Sequence, residues 1–293
     1  MKWIVIVAGL LSFHSNAQEQ SLCYEISHEK LGIERSYLFG TMHAMEENSF
    51  FFPKRITKLL EKSDALCLEI KNITEVRIEP EMLYDTTLHL KAYCDSTEWS
   101  NLTIWAEEKL FMKPIQFEEN FEHAKPFMLF QFILAMNLPA NKKSHEQELE
   151  KIAASNKIQL LGLESVHEQL NIFNQIPFDG QMDMVFSELN NDEKNIKDFN
   201  EMQQAYRKQE LNVICEYATN EKLDGNIALF LDDRNKKWIP EMKEMMKEEC
   251  VFFAVGAGHL CGENGLISLL KKEGFNLKAV SYTHLTLPTI LLV

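Results

Sequence analysis

Two histidines follow apolar segments of the chain with the same local spacing. In YLFGTMH the apolar residues reach Gly40, and His43 comes three residues later. In VFFAVGAGHL the same spacing separates Gly256 from His259. Each apolar segment is typical of a buried strand, and parallel α/β sheets bind ligands beyond the carboxyl ends of their strands. One sheet could therefore bring both imidazoles to one point, within about 8 Å of each other, where they can share a metal ion.

A glycine at the end of each apolar segment has two uses. Glycine lets the backbone turn tightly, and it also lets the backbone approach a ligand closely. We expect Gly40 and Gly256 to allow the turns that aim the two histidines and to line the cofactor site. A lone histidine after a strand is more often structural than functional, but the repeated pattern favours a shared site.

Two glutamates follow other apolar segments. Glu69 ends the strand of SDALCLEI, and Glu164 follows the apolar part of IQLLGLES. A buried carboxylate is costly unless it is paired or bound to metal, although either side chain could instead point to solvent. We expect His43, His259 and Glu69 to hold a divalent metal, with Glu69 or Glu164 as a general base. Zinc, manganese, cobalt or iron would suit these donors, and the spacings are not those of an HExxH helix.

Arg234 and Asn235, in FLDDRNKKW, are further candidates. Their spacing alone favours a solvated charged turn before a helix, but both could donate hydrogen bonds to a developing oxyanion in catalysis. Five other histidines have no partner pattern and are expected at the surface: His28, His89, His123, His145 and His167.

The composition is that of a globular protein with a sizeable core. The 293 residues are 45% apolar and 25% charged. A formal net charge of −14 and the lack of a Lys/Arg cluster argue against nucleic acid and anionic membranes as partners. The 6 cysteines are scattered without a CxxC pair, which argues against a zinc knuckle. Cys67 lies in an apolar run and is expected to be a buried thiol, while any disulfide pairing is left open.

Both ends of the chain differ from the rest. Residues 1–17 combine Lys2, an apolar run and small residues up to Ala17, which predicts a signal peptide; a buried first helix is the alternative. The run is too short to span a bilayer. Residues 281–293 have no charged side chain apart from His284 and predict a foreign or frameshifted tail, or else an apolar edge strand. We expect residues 18–280 to form a single exported domain, periplasmic or extracellular.

The segments between these ends predict an α/β fold, with α+β as the alternative. LCYEIS and SYLFGT predict strands, and PKRITKLLEKS followed by ALCLEI predicts a helix and a strand, the unit of a parallel sheet. Residues 79–247 are mostly helical in pattern, with a short strand in IQLLGLES. We expect a central mixed or largely parallel sheet built from two strand–GxxH–helix–strand halves, with a large helical insertion in the middle.

The order of the motifs resembles that of the TraB/GumN family, which includes the TIKI metalloproteases. Between Cys23 and Val280 the matching segments are YLFGTMHAMEENSFFFP, SDALCLEI, LLGLESVHEQL, DDRNKKWIPEM and FFAVGAGHLCGENGLISLLKKEGFNLKAV. The resemblance implies a metal-dependent hydrolase or protease whose functional residues are two GxxH motifs and a glutamate. It also implies kinship to erythromycin-esterase-like and haem-binding proteins. This chain has SHEQEL where members often carry an aspartate before the middle helix.

Three functions are compatible with these residues. We expect an exported metal-dependent hydrolase, foremost a peptidase, that acts on a peptide or on a small ester or amide. The alternative is a non-catalytic protein that binds haem or metal through the same histidines. The third is an interaction module that keeps only the fold, and the intact GxxH motifs argue against it.

Export can be checked directly. Because the apolar run ends before Ala17, mass spectrometry of the protein recovered outside the cytoplasm should find a mature N-terminus near Gln18. A mature cytoplasmic protein that retains Met1 would contradict the predicted signal peptide.

Overall fold

The computed structural model describes residues 21–72, 77–218 and 226–280. The predicted signal peptide (1–17) and the suspected tail (281–293) lie outside these ranges. In the described part of the chain, no helix combines the length and the apolar character needed to cross a bilayer.

Strands occur mainly towards the two ends of the described chain, and helices make up most of the region between them. The strands are β1 (Cys23–His28), β2 (Ile33–Thr41), β3 (Met45–Glu46), β4 (Ala65–Leu68), β5 (Lys142–Lys143), β6 (Gln159–Gly162), β7 (Val251–Gly256) and β8 (Asn276–Ala279). The α-helices are α1 (Lys54–Leu60), α2 (Pro80–Leu83), α3 (Ser96–Leu110), α4 (Pro114–Phe121), α5 (Pro126–Asn137), α6 (His145–Asn156), α7 (Val166–Asn171), α8 (Phe178–Leu189), α9 (Asp192–Lys208), α10 (Leu211–Ala218), α11 (Asp233–Glu248) and α12 (Leu266–Lys272).

Six of the strands form one mixed sheet, in the order β6–β4–β7–β2–β1–β8. The strands β6, β4, β7 and β2 run parallel, while β1 is antiparallel to both of its neighbours. Thr41 pairs with Gly256, and Leu68 pairs with both Ala254 and Gly162. The carboxyl ends of four neighbouring strands therefore lie at one edge. This confirms the predicted α/β class and the largely parallel sheet.

The parallel strands are continuous apolar runs because both faces of the sheet are covered. Phe252 and Phe253 are adjacent in β7, so their side chains point to opposite faces, and both are fully buried. Trp238 of α11 and Leu149 of α6 belong to the same buried cluster as these strands. A second cluster lies among the helices of the middle region, around Trp105 and other side chains of α3, α4, α5 and α8.

The two glycines of the GxxH motifs do not form turns through a special backbone conformation. Gly40 lies inside β2, and neither Gly40 nor Gly256 has a positive φ, so the expected turn-forming role is wrong. Both glycines instead allow another part of the chain to pack closely against their backbone. A Cβ atom at Gly40 would lie 3.1 Å from Cα of Ala257, and one at Gly256 would lie 3.1 Å from Nε2 of His43. The missing side chains therefore leave space for the second motif and for the first histidine.

One disulfide joins the helical region to the last motif. Cys215, in the middle of α10, is bonded to Cys261, two residues after His259. Cys67 is a buried free thiol, as predicted. The disulfide fixes α10 beside the turn that carries His259.

His145 is fully buried, which corrects its expected place at the surface. Its ring nitrogens lie 3.0 Å from the backbone oxygens of Met42 and Phe51. The ring also packs against the aromatic rings of Phe50 and Tyr206. The imidazole therefore links the start of α6 to the segment that follows β2.

His145→Ala should lower the free energy of unfolding by about 2 kcal/mol or more, because it leaves a cavity and removes the hydrogen-bond partner of buried carbonyls. The control His167→Ala removes a half-exposed ring and should change stability by less than about 0.5 kcal/mol. Urea denaturation measures both, and equal effects would argue against the linking role of His145.

Candidate functional site

The side chains predicted for the site follow the ends of the four parallel strands. His43 lies just beyond β2, and Glu69 comes directly after β4. Glu164 lies just beyond β6, and His259 is in the short 3₁₀ turn Ala257–Leu260 that follows β7. The parallel sheet brings them together because these strand ends are neighbours.

The Glu69 carboxylate is the point on which these groups converge. Its Oε1 accepts a hydrogen bond from the backbone N–H of Gly256 at 2.7 Å. The same oxygen lies 4.0 Å from Nε2 of His43 and 3.7 Å from Nε2 of His259. Both imidazoles therefore lie close to one carboxylate oxygen, one on each side.

Arg234 occupies the other side of this carboxylate. Its Nη2 donates to Oε2 of Glu69 at 2.5 Å and to Oε1 of Glu164 at 2.6 Å. Its Nη1 donates to the backbone oxygen of Phe230 at 2.9 Å and to Nε2 of His259 at 3.0 Å. The Arg234 side chain is 11% exposed, so the alternative of a solvated charged turn is wrong.

The helix that carries Arg234 begins irregularly. One π-helical turn, Ala228–Asp232, runs directly into α11. π turns occur frequently at functional sites because they change the direction of the side chains that follow. Here the guanidinium carbon of Arg234 lies 4.7 Å from the ring centroid of Trp238, and that ring lies 4.5 Å from the ring of His259. The first turns of α11 thus hold both the charge and the imidazole.

Asn235 orients His259. Its Oδ1 lies 2.7 Å from Nδ1 of His259, and an amide oxygen only accepts, so Nδ1 carries the hydrogen and Nε2 carries the lone pair. The Asn235 Nδ2 donates to the backbone oxygens of His259, at 3.3 Å, and Asn264, at 2.9 Å. Both amide hydrogens are therefore used inside the protein, and the arrangement does not support the expected role of Asn235 as an oxyanion donor.

Glu146, at the start of α6, was not among the predicted residues. Its Oε1 accepts hydrogen bonds from Nδ1 of His43, at 2.8 Å, and from the hydroxyl of Thr41. Ser144 donates to Oε2 at 2.6 Å. With Nδ1 bound to Glu146, Nε2 of His43 is on the side of Glu69. The available signal was the acidic residue in SHEQEL, two positions after the helix-capping serine.

The charges at the centre of the site follow from these contacts. Burial alone would raise the pKa of Glu69, but His259, His43, Arg234 and the Gly256 N–H together lower the pKa to about 2. Burial lowers the pKa of His259 to about 3, against the attraction of Glu69. At neutral pH the centre therefore holds an ionised carboxylate and a neutral buried imidazole.

The pKa values of His43 and Glu164, at the edge of the site, shift in the opposite directions to those of His259 and Glu69 at its centre. Desolvation, which would lower the pKa of His43, is weak for a side chain that is 67% exposed, and the carboxylates of Glu146 and Glu69 raise that pKa. Burial raises the pKa of Glu164 despite the opposing charge of Arg234. Glu164 thus holds a proton more readily than Glu69 does.

The donor set has the chemistry of a divalent-metal site. A partner on Nδ1 fixes each ring, which is the usual outer contact of metal-bound histidine, and both Nε2 atoms lie on the side of the ionised Glu69. His259 is neutral, but the pKa of His43 is about 9, so a metal ion would have to displace the Nε2 proton of His43. Ligation by His259 requires Arg234 to release Nε2. The ligand atoms of His43, Glu69 and His259 would also have to move closer together to share one ion. Among the described residues, the group of three possible ligands whose atoms already lie within 4.8 Å of one another is a different one, His89, Glu122 and His123.

One protein with a described activity is similar to part of the chain. The chain is 34% identical over 71 residues to a protein named "Metalloprotease TIKI homolog" from Amphimedon queenslandica. The match covers 24% of this chain and 14% of that protein, so the chain spans a small part of its relative's length. No solved structure gives a significant match.

A family model matches nearly all of the described chain. The model is that of the TraB/PrgY/gumN family, and it matches residues 22–279. These residues include β1 to β8, both GxxH motifs and every side chain around Glu69 described above. The chain therefore belongs to the TraB/PrgY/gumN family.

Proposed function

We propose that this protein is an exported, metal-dependent hydrolase, and specifically a peptidase. The observation that carries the proposal is the convergence of two imidazole Nε2 atoms on one ionised carboxylate, at 4.0 and 3.7 Å. Two histidines and one carboxylate are a ligand set of catalytic zinc enzymes, and they also suit manganese, cobalt or iron. The similarity of a 71-residue segment to a TIKI metalloprotease homolog favours peptide bonds as the substrate.

His43, Glu69 and His259 are the proposed ligands. The chemistry that a divalent ion supplies when bound is Lewis acidity towards a substrate carbonyl. His43 would have to lose its Nε2 proton to the solvent to bind the ion, and Glu69 would offer Oε1, which also accepts the Gly256 N–H. Gly256 leaves the space beside both, because a Cβ atom there would lie 3.3 Å from Oε1 of Glu69.

Glu164 is the proposed general base. Glu69, with a pKa of about 2, is too weak a base at neutral pH, whereas burial raises the pKa of Glu164 towards the working range. Arg234 holds Glu164 in place through two hydrogen bonds, at 2.6 and 3.3 Å. If Nε2 of His259 held the ion, the Nη1–H of Arg234 that this nitrogen accepts would be free to donate to a developing oxyanion.

Two features are compatible with an exported protein whose substrate, in this proposal, is a peptide or a small ester or amide. The Cys215–Cys261 disulfide suits an oxidising compartment outside the cytoplasm. The net charge of −14 disfavours nucleic acid as a partner.

His43→Ala should abolish manganese binding at the site and peptide cleavage, while changing the free energy of unfolding by less than about 0.5 kcal/mol. The side chain is 67% exposed, so little packing is lost. His259→Ala should cost stability as well, because this residue is 3% exposed and packs on Trp238.

Equilibrium dialysis, cleavage of a peptide library and urea denaturation measure these effects. His167→Ala is the matched control, since it also removes a half-exposed histidine paired with one glutamate. Cleavage by His43→Ala at the wild-type rate would refute the proposal. A Soret band in the purified protein, without cleavage, would favour the haem-binding alternative.

Arg234→Met should lower the free energy of unfolding by about 3 to 5 kcal/mol in metal-free buffer, because it leaves two buried carboxylates without their cation. Added manganese should recover part of the loss. Lys237→Met, on the same helix, breaks the half-exposed pair with Glu168 and should cost less than about 1 kcal/mol. Urea denaturation in chelator distinguishes the two; an equally small loss in both variants would contradict the buried charge cluster.

A further inference from the structure

We propose that His89, Glu122 and His123 form a second metal site, which binds a divalent transition metal such as Zn²⁺ on the helical part of the molecule. The three ligand atoms all lie within 4.8 Å of one another. Nδ1 of His89 lies 3.0 Å from Oε1 of Glu122, and Nε2 of His123 lies 3.7 Å from Oε2. Two imidazole nitrogens and one carboxylate are a recognised zinc ligand set.

His123 is already oriented for ligation. Its Nδ1 lies 2.6 Å from the backbone oxygen of Leu88, which can only accept, so Nδ1 carries the hydrogen. The lone pair is therefore on Nε2, the nitrogen on the side of Glu122. A backbone carbonyl in this position is the outer contact that fixes the tautomer and ring direction of metal-bound histidine.

The backbone holds the two segments of the site together. The N–H of Leu90 donates to the backbone oxygen of Glu122 at 2.8 Å, and the N–H of Asp85 donates to that of His123 at 2.9 Å. Leu90 and Phe121, which adjoin the ligands in sequence, are buried in the helical cluster. The backbone at the ligands is thus held in place without metal, which reduces the entropy lost on binding.

The donor set also predicts which ions bind. Nδ1 of His89 faces the Glu122 carboxylate and so carries the ring hydrogen in the metal-free protein; binding of a metal at Nδ1 would require the other tautomer, with this hydrogen on Nε2. Imidazole nitrogen favours zinc, copper or nickel over magnesium and calcium, which prefer oxygen ligands. The His89 side chain is 63% exposed, so water can reach the remaining coordination positions.

The site would act as a brace. His89 precedes the 3₁₀ turn Leu90–Tyr93, and Glu122 and His123 follow α4. The ion would therefore join two segments 33 residues apart in the chain. This role is independent of the Glu69 centre, since none of the three residues contributes to that centre.

Isothermal titration of the mature protein with Zn²⁺ tests the site. His89→Ala and Glu122→Gln should each weaken one binding event by at least about tenfold, the range already lost when only an outer contact of a ligand is removed. His167→Ala is the matched control: its ring lies 3.3 Å from Glu79 and belongs to no three-ligand group in the described chain, so binding should not change. Mg²⁺ at equal concentration should give no heat.

The same titrations in a His43→Ala background separate the two sites. One equivalent of Zn²⁺ should remain there, and its binding should weaken by at least about tenfold when His89→Ala is added, even if the Glu69 centre binds no metal at all. Circular dichroism checks that the variants fold, and little change is expected for the exposed His89. Zinc binding that is unchanged in His89→Ala and Glu122→Gln, absent from the wild type, or lost equally in His167→Ala would overturn the proposal.

Discussion

The burial of three charged side chains at one edge of the sheet constrains the rest of the structure. Glu69, Glu164 and Arg234 are each nearly inaccessible to solvent, so each must keep its partners. Two of them follow strands that are neighbours in the sheet, and the third comes from a helix packed on that sheet. Strand order, strand register and the start of α11 must all be correct before the charges balance.

The two GxxH motifs share a spacing but create different environments. The first continues β2 as far as Thr41 and leaves His43 largely in solvent, held by a carboxylate of α6. The second enters a 3₁₀ turn and buries His259 between Asn235 and Trp238. One imidazole is therefore placed to meet ligands arriving from solvent, while the other is held rigid by the core. A sequence repeat need not produce a symmetric site.

Much of the fold and the centre of the site could be predicted from local pattern. Strands such as Val251–Gly256 are recognisable because continuous apolar runs fit a sheet covered on both faces. His43, Glu69 and His259 could be found because parallel strands direct their ends to one edge. Glu146 could not be assigned to the site from the sequence, because the helix dipole alone favours an acidic residue in the first turn of a helix.

Other features depend on packing that the local pattern does not carry. His145 lies beside polar residues in sequence, yet the aromatic rings around it come from distant segments. The five hydrogen bonds that Arg234 makes to four residues require β4, β6 and β7 to be in place first. His89 and His123 meet because α3 and α4, which lie between them in the chain, pack against each other.

The Cys215–Cys261 bond closes a covalent ring with a sequence separation of 46 residues. In the chain-entropy model a ring of this size restricts the unfolded chain by about 4 kcal/mol. Arg234, Asn235 and His259 all lie within the ring, together with α11 and β7. A single backbone cut anywhere between the two cysteines would leave both pieces tethered, so the part of the site that the ring encloses is protected against loss by proteolytic nicking.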